Sequence, residues 1–219
     1  MTKQTQTHKG PCPNLINSLC DGLEPRKPLP HPFLRMLPWV VLMIGYMGFI
    51  ASVVIGLRDN WQMHLRENTV FQLDILFASF LALSSSFALG WVNLPDMRQQ
   101  PKIVALPMAA LGTFALYILW RLIVADYSQF AYSLNCFQHA FLLGAIPVAA
   151  LVFLLRKGCP SCHKQSAFFT TLAVSSMGWI GLRFTCEIDH VGQNFVLQFL
   201  PFLILGLVLG ALSDRLFRW

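Results

Sequence analysis

Long apolar runs separated by short polar breaks dominate this chain. Residues 36–57, 70–94, 103–125, 137–155, 166–184 and 195–212 each stay overwhelmingly apolar for about 18 to 25 positions. That is the length an α-helix, rising about 1.5 Å per residue, needs to cross a hydrocarbon core of about 30 Å. Hydrocarbon offers no water to the backbone, so such runs must close their hydrogen bonds internally, as helices. The pattern predicts an all-α integral membrane protein, a bundle of six transmembrane helices over residues 36–219 behind a polar tail, residues 1–35.

The tail has a pattern of its own. Leu15, Ile16, Leu19 and Leu23 recur at helical spacing after Asn14, a suitable N-cap, and predict a short amphipathic helix over about 14–23. Pro25, Pro28, Pro30 and Pro32 then favour an extended spacer over 24–32. The first apolar run starts too late for a cleaved signal peptide, so the tail is expected in the mature protein. Two roles suit it: lying on anionic lipid through Arg26, Lys27 and Arg35, or offering its leucine face to a cytoplasmic partner.

Composition agrees with the membrane reading. Of 219 residues, 55% are hydrophobic and 12% charged, against about 25% charged in soluble domains, and the mean hydropathy is +0.56. The charges also orient the bundle. Of sixteen lysines and arginines, twelve fall in the tail, after the second and fourth runs, and at the end: Lys3, Lys9, Arg26, Lys27, Arg35, Arg98, Lys102, Arg156, Lys157, Lys164, Arg215 and Arg218. The positive-inside rule puts both termini in the cytoplasm. Arg58, Arg66, Arg121 and Arg183 fall toward the opposite face, with Asp59, Glu67, Asp126, Glu187, Asp189 and two cysteines, Cys136 and Cys186.

Those cysteines carry the candidate chemistry. Cys136 and His139 form Cys-x2-His, while Cys186 and His190 form Cys-x3-His across Glu187 and Asp189. Two such pairs can supply four ligands to a tetrahedral transition-metal ion such as zinc. An oxidising outer compartment would equally allow the two thiols to form a disulfide, and two unpaired structural cysteines remain an ordinary alternative. Cys159-Pro-Ser-Cys162-His163 resembles a c-type haem attachment string but is expected on the cytoplasmic face, the wrong side for that chemistry, and reads as a reduced loop.

Elsewhere, Asp74 is an ionisable residue about one turn inside the second run, a costly placement that often marks function. Ser84, Ser85 and Ser86 predict close helix packing, Pro107, Pro147 and Pro201 predict kinks, and Gly206 with Gly210 is a small-xxx-small pair suited to contact within the bundle or with a second copy. Trp39, Trp91, Trp120 and Trp219 are expected at membrane interfaces and Trp179 in packing.

The order of parts resembles the NrsF-type family of six-helix bacterial inner-membrane anti-sigma factors. The matching pieces are Leu15-Ile16 to Leu19 and Leu23 followed by Pro25-Arg26, Leu94-Pro95, Cys136, the string from Arg156 to Pro160, Cys186 to Asp189, and the ending Leu216-Phe217-Arg218-Trp219. The resemblance implies a non-enzymatic regulator that holds an extracytoplasmic-function sigma factor at the membrane, without touching nucleic acid itself, and releases it under metal or oxidative stress. It implies sensing by Cys136 and Cys186, and sequestration by the tail face of Leu15, Ile16, Leu19 and Leu23. His139 and His190 are not part of the resemblance, and Cys159 and Cys162 depart from it. Two other classes remain: a small transporter using Asp74 and the kinked helices, and a membrane thiol oxidoreductase linking the outer cysteines to Cys159 and Cys162. The second lacks histidines stacked within helices to hold haem.

Overall fold

The structure, a computed structural model, describes residues 31–92, 101–124, 134–156, 163–186 and 200–216, with the backbone alone at 101, 134–137, 155, 156, 200, 203, 214 and 216. The described residues are helical: α1 Pro32–Phe49 running into a π-helical turn Ile50–Ile55, α2 Trp61–Glu67, α3 Thr69–Val92, α4 Pro101–Val124, α5 Leu134–Arg156, α6 His163–Thr185 and α7 Leu200–Leu216.

Helix α1 starts at Pro32, ahead of the expected start at residue 36. Proline suits a first helical position because its missing N–H would have no intrahelical partner there. Met36, Trp39, Val40, Met43, Met47 and Ile50 form its buried stripe at intervals of three and four residues. Trp39 is thus core rather than interfacial. The helix widens into the π-turn and stops at Gly56, whose φ of 94° and ψ of 141° are open almost only to glycine. Asn60, in the left-handed region, then starts α2, a seven-residue helix that the run pattern did not predict.

One residue organises the step from α2 to α3. Asn68 Oδ1 accepts the N–H groups of Val70 at 3.0 Å and Phe71 at 3.1 Å, satisfying two donors of the α3 N-terminus. Gln72 Nε2 in turn donates to the carbonyls of Leu65 and Arg66 at the end of α2.

Among the described residues, Pro32–Ile55, Thr69–Val92 and Lys102–Val124 are long and apolar enough to cross a membrane, while Gln138–Leu154 and Ile204–Ser213 are shorter apolar stretches. Helix α6 falls outside this group for a physical reason. It is the centre of the bundle, packing on α1, α3, α5 and α7, and seven of its thirteen buried positions are small or hydroxylated: Ser166, Ala167, Thr170, Ala173, Ser176, Gly178 and Gly181. A helix surrounded by protein can forgo hydropathy, and its small residues let neighbours approach. Its hydroxyls bond back to its own turns, Thr170 to the Ser166 carbonyl at 2.6 Å and Ser176 to the Leu172 carbonyl at 2.6 Å. Ser84, Ser85 and Ser86 of α3 are buried as expected.

Two close approaches set helix spacing. A Cβ at Gly178 would lie 2.1 Å from the Phe202 ring, and one at Gly144 would lie 3.1 Å from it, so α7 seats that ring in a notch between α5 and α6. At Gly90 a Cβ would lie 2.7 Å from Met36, bringing α1 against α3. Trp179 is buried edge-on to Phe114 of α4, with ring centroids 5.8 Å apart. Pro107 and Pro147 lie inside α4 and α5 as expected; Pro201 is the second described residue of α7, and the residues before Leu200 lie outside the described residues. The surface left outside is apolar: Leu76, Leu116, Ile123, Phe141, Phe153 and Leu207 are all more than 60% exposed, a surface suited to hydrocarbon.

Candidate functional site

Helix α3 runs antiparallel to α4 and α6, so its first turns meet their last. Asp74 lies in the second turn of α3, while Arg121 and Arg183 lie in the last turns of α4 and α6, positions where the helix dipole favours a cation. The side chains converge. Arg121 Nη1 donates to both carboxylate oxygens at 2.8 Å, and Arg183 Nε stands 3.2 Å from Oδ2. Side-chain exposures are 0% for Asp74, 1% for Arg183 and 10% for Arg121. A carboxylate in such surroundings must be paired or neutralised, and here two guanidiniums hold it.

Aromatic rings extend the cluster. The Arg183 and Arg58 guanidiniums stand 5.2 and 5.7 Å from the centre of the Phe71 ring, within cation–π range. Phe184 meets Phe71 edge-on at 5.5 Å. Arg58, itself buried, places Nη2 3.2 Å from His64 Nε2 and donates its backbone N–H to the Phe184 carbonyl at 2.9 Å. Arg121 stands 5.8 Å from the Tyr117 ring, whose hydroxyl donates to the Val70 carbonyl at 3.3 Å. The cluster thus ties α3, α4, α6 and the segment after α1 together at one end of the bundle. What the cluster can do is fix relative helix positions by charge.

The expected sensing residues lie at this same end. Cys186 directly follows α6, is 3% exposed, and donates its N–H to the Leu182 carbonyl at 2.8 Å, one turn beyond Arg183. Cys136 is placed by backbone only, in the first turn of α5. Helices α5 and α6 are antiparallel: Leu143 packs on Gly181, while Gly144 and Gly178 share the Phe202 ring. Counted at about 1.5 Å per residue from the Leu143–Gly181 contact, Cys136 is about 10 Å and Cys186 about 7 Å along, in the same direction. Their backbones therefore stand at nearly the same height. His139, one turn into α5, is partly buried, and its Nδ1 lacks a hydrogen-bond partner among the described residues.

Other expectations lie outside the described residues: His190, Glu187, Asp189, Cys159, Cys162, and the tail residues Leu15, Ile16, Leu19 and Leu23. Among the described residues, no three His, Cys, Asp or Glu side chains gather as a metal site. Of the small pair in α7, Gly206 faces inward, since a Cβ there would lie 2.7 Å from Thr171, while Gly210 faces open space.

Sequence reasoning singled out Asp74 but missed its partners. The signal was available: three charges, Asp74, Arg121 and Arg183, sit near the ends of the second, third and fifth runs that the up-and-down order brings to one face. Arginines counted only for orientation conceal that pairing.

No curated protein and no solved structure matches this chain. A family profile described as "NrsF: Negative regulator of sigma F" matches residues 19–219, a span that takes in every described helix and both cysteines at the arginine-rich end. The chain belongs to this family of negative regulators of sigma F.

Proposed function

We propose that this protein is an anti-sigma factor of a bacterial inner membrane, a six-span bundle with both termini in the cytoplasm. Its tail face of Leu15, Ile16, Leu19 and Leu23 sequesters an extracytoplasmic-function sigma factor. A metal ion or an oxidant acting at Cys136 and Cys186 releases it. The observation that carries the regulator reading is the family match over residues 19–219, which begins within the tail and takes in Leu19 and Leu23. The similar height of the two cysteine backbones, within about 3 Å, supports a joint role. Either a transition metal such as zinc would be held by both thiols with His139 and His190, or the thiols would yield two electrons to an oxidant and close a disulfide. Arg183 stands one turn from Cys186, so movement at the thiol pulls on the Asp74 cluster and through it on three helices. A tenfold change in sigma-factor release needs only about 1.4 kcal/mol of bias between two bundle arrangements.

Transport through Asp74 finds less support, because two arginines close that carboxylate off within the bundle. Two experiments test the regulator reading. Capture of a sigma factor from detergent extract by the full chain, but not by a chain lacking residues 1–30, supports the tail's role; no capture by either form ends it. A reporter of the target genes separates sensing from binding. The Cys136→Ser, Cys186→Ser variant should still repress yet lose its response to metal and oxidant, and an intact response refutes sensing by these thiols.

A further inference from the structure

A cavity of about 500 Å³ lies between α4, α6 and α7 at the end of the bundle opposite Asp74. Its walls are apolar, with Leu111, Phe168, Leu172 and Leu207 among them, and Lys164 lines it as well. Phe168 and Leu207 are 42% and 68% exposed, so the cavity opens sideways, toward lipid. Ala167, Gly206 and Gly210 make the depression, and nothing lies within 4 Å of where a Cβ at Gly210 would stand. We propose that this groove is a binding site for an anionic glycerophospholipid of the surrounding bilayer, with the phosphate at Lys164 and one acyl chain along the groove.

Three observations carry the assignment. The first is charge: the lining cation stands at one end of an otherwise apolar trough, which is the polarity of a phospholipid. The second is length. Along α6 the lining runs from Lys164 to Ser175, eleven residues or about 16 Å of helix, close to half the thickness of a hydrocarbon core of about 30 Å. The groove therefore covers one leaflet, with its cation at headgroup depth. The third concerns the competing occupant. A second copy in the same bilayer, with the same orientation, would bring its own Lys164, Lys102 and Arg215, offset among the described residues there by Asp214 alone, to that end, so that net positive charge meets its like, whereas a phosphate neutralises it. Basic pockets between membrane helices are suited to anionic headgroups for the same reason. The assignment is independent of what the tail binds.

The test uses the full-length protein in mixed micelles, with retained lipid read by native mass spectrometry in a competition between phosphatidylglycerol and phosphatidylcholine. The wild-type chain should retain phosphatidylglycerol preferentially. Lys164→Gln, a change at an exposed residue, should cut that preference about fivefold, the worth of one cation near an anionic surface. Gly210→Leu fills the groove and should remove the retained lipid, while Gly45→Leu, at a position equally open on α1, should leave it. Equal retention of the two lipids by the wild-type chain, or an unchanged preference in Lys164→Gln, overturns the proposal. So does efficient disulfide cross-linking of Gly210→Cys into a dimer, which would give the groove to a second copy.

Discussion

Asp74→Ala is the most informative single change. It removes a carboxylate that is 0% exposed and leaves Arg121 and Arg183, 10% and 1% exposed, without the oxygens they approach at 2.8 and 3.2 Å. Deleting one partner of a buried ion pair costs about 3–5 kcal/mol, mostly through the charge left behind. Two features put this case near the lower bound: Arg121 keeps some solvent access, and Arg183 keeps the Phe71 ring at 5.2 Å. The expected loss is about 3 kcal/mol, a large part of the 5–15 kcal/mol by which proteins are ordinarily stable. Reversible unfolding in mixed micelles, followed by tryptophan fluorescence, measures it, with the exposed Asp59→Ala as an acidic control that should leave stability unchanged. A double-mutant cycle with Arg121→Ala isolates the pair, and the coupling should exceed about 1 kcal/mol, beyond the ~0.5 kcal/mol scatter of independent sites. A loss under about 1 kcal/mol for Asp74→Ala, or additivity in the cycle, would refute the view that this carboxylate holds the three helices together.

Other positions give sharper local tests in the same unfolding assay. Gly178→Ala places a methyl group 2.1 Å from the Phe202 ring and should destabilise by about 1–3 kcal/mol, with Phe202→Leu in the same chain recovering part of the loss. Gly56→Ala puts a side chain where φ is 94° and should cost about 1–3 kcal/mol; a neutral result would mean that the π-turn need not end as described. Asn68→Ala removes the acceptor for Val70 and Phe71 and should cost about 1 kcal/mol, with Asn68→Asp retaining most of the stability.

Run length made the helices of the apolar segments legible, because an uninterrupted apolar stretch admits few alternatives. Boundaries were less so. The run of prolines points to an extended spacer through Pro32, yet a proline at a first helical position opens a helix, as Pro32 does for α1. Trp61–Glu67 escaped notice since seven residues of mixed polarity carry little period, and its ends depend on the backbone of Asn60 and the bonds of Asn68. The candidate site was half visible. Asp74 stood out by chemistry, but its pairing with Arg121 and Arg183 depends on which faces antiparallel helices turn to one another, and a linear pattern does not record that. The same holds for the cysteines: spacing gives each thiol a nearby imidazole, whereas the matching height of Cys136 and Cys186 emerges only from the register that Leu143 and Gly181 impose on α5 and α6. Gly206 shows the reverse case, a motif visible in sequence whose inward half is taken up by Thr171.

The Phe202 notch bears on how the bundle comes together. Chains are synthesised from the N-terminus, so the backbone of α5 and α6 is made before the Phe202 ring that fills the space between Gly144 and Gly178. Without α7, the notch at Gly144 and Gly178 lacks the phenyl ring that fills it. The register of α5 against α6, and with it the relative height of Cys136 and Cys186, is set by Leu143 on Gly181 and reinforced when α7 brings its ring between Gly144 and Gly178. An arrest of synthesis before Phe202 would yield a chain in which α5 and α6 keep the Leu143–Gly181 contact but lack the ring that wedges them at Gly144 and Gly178.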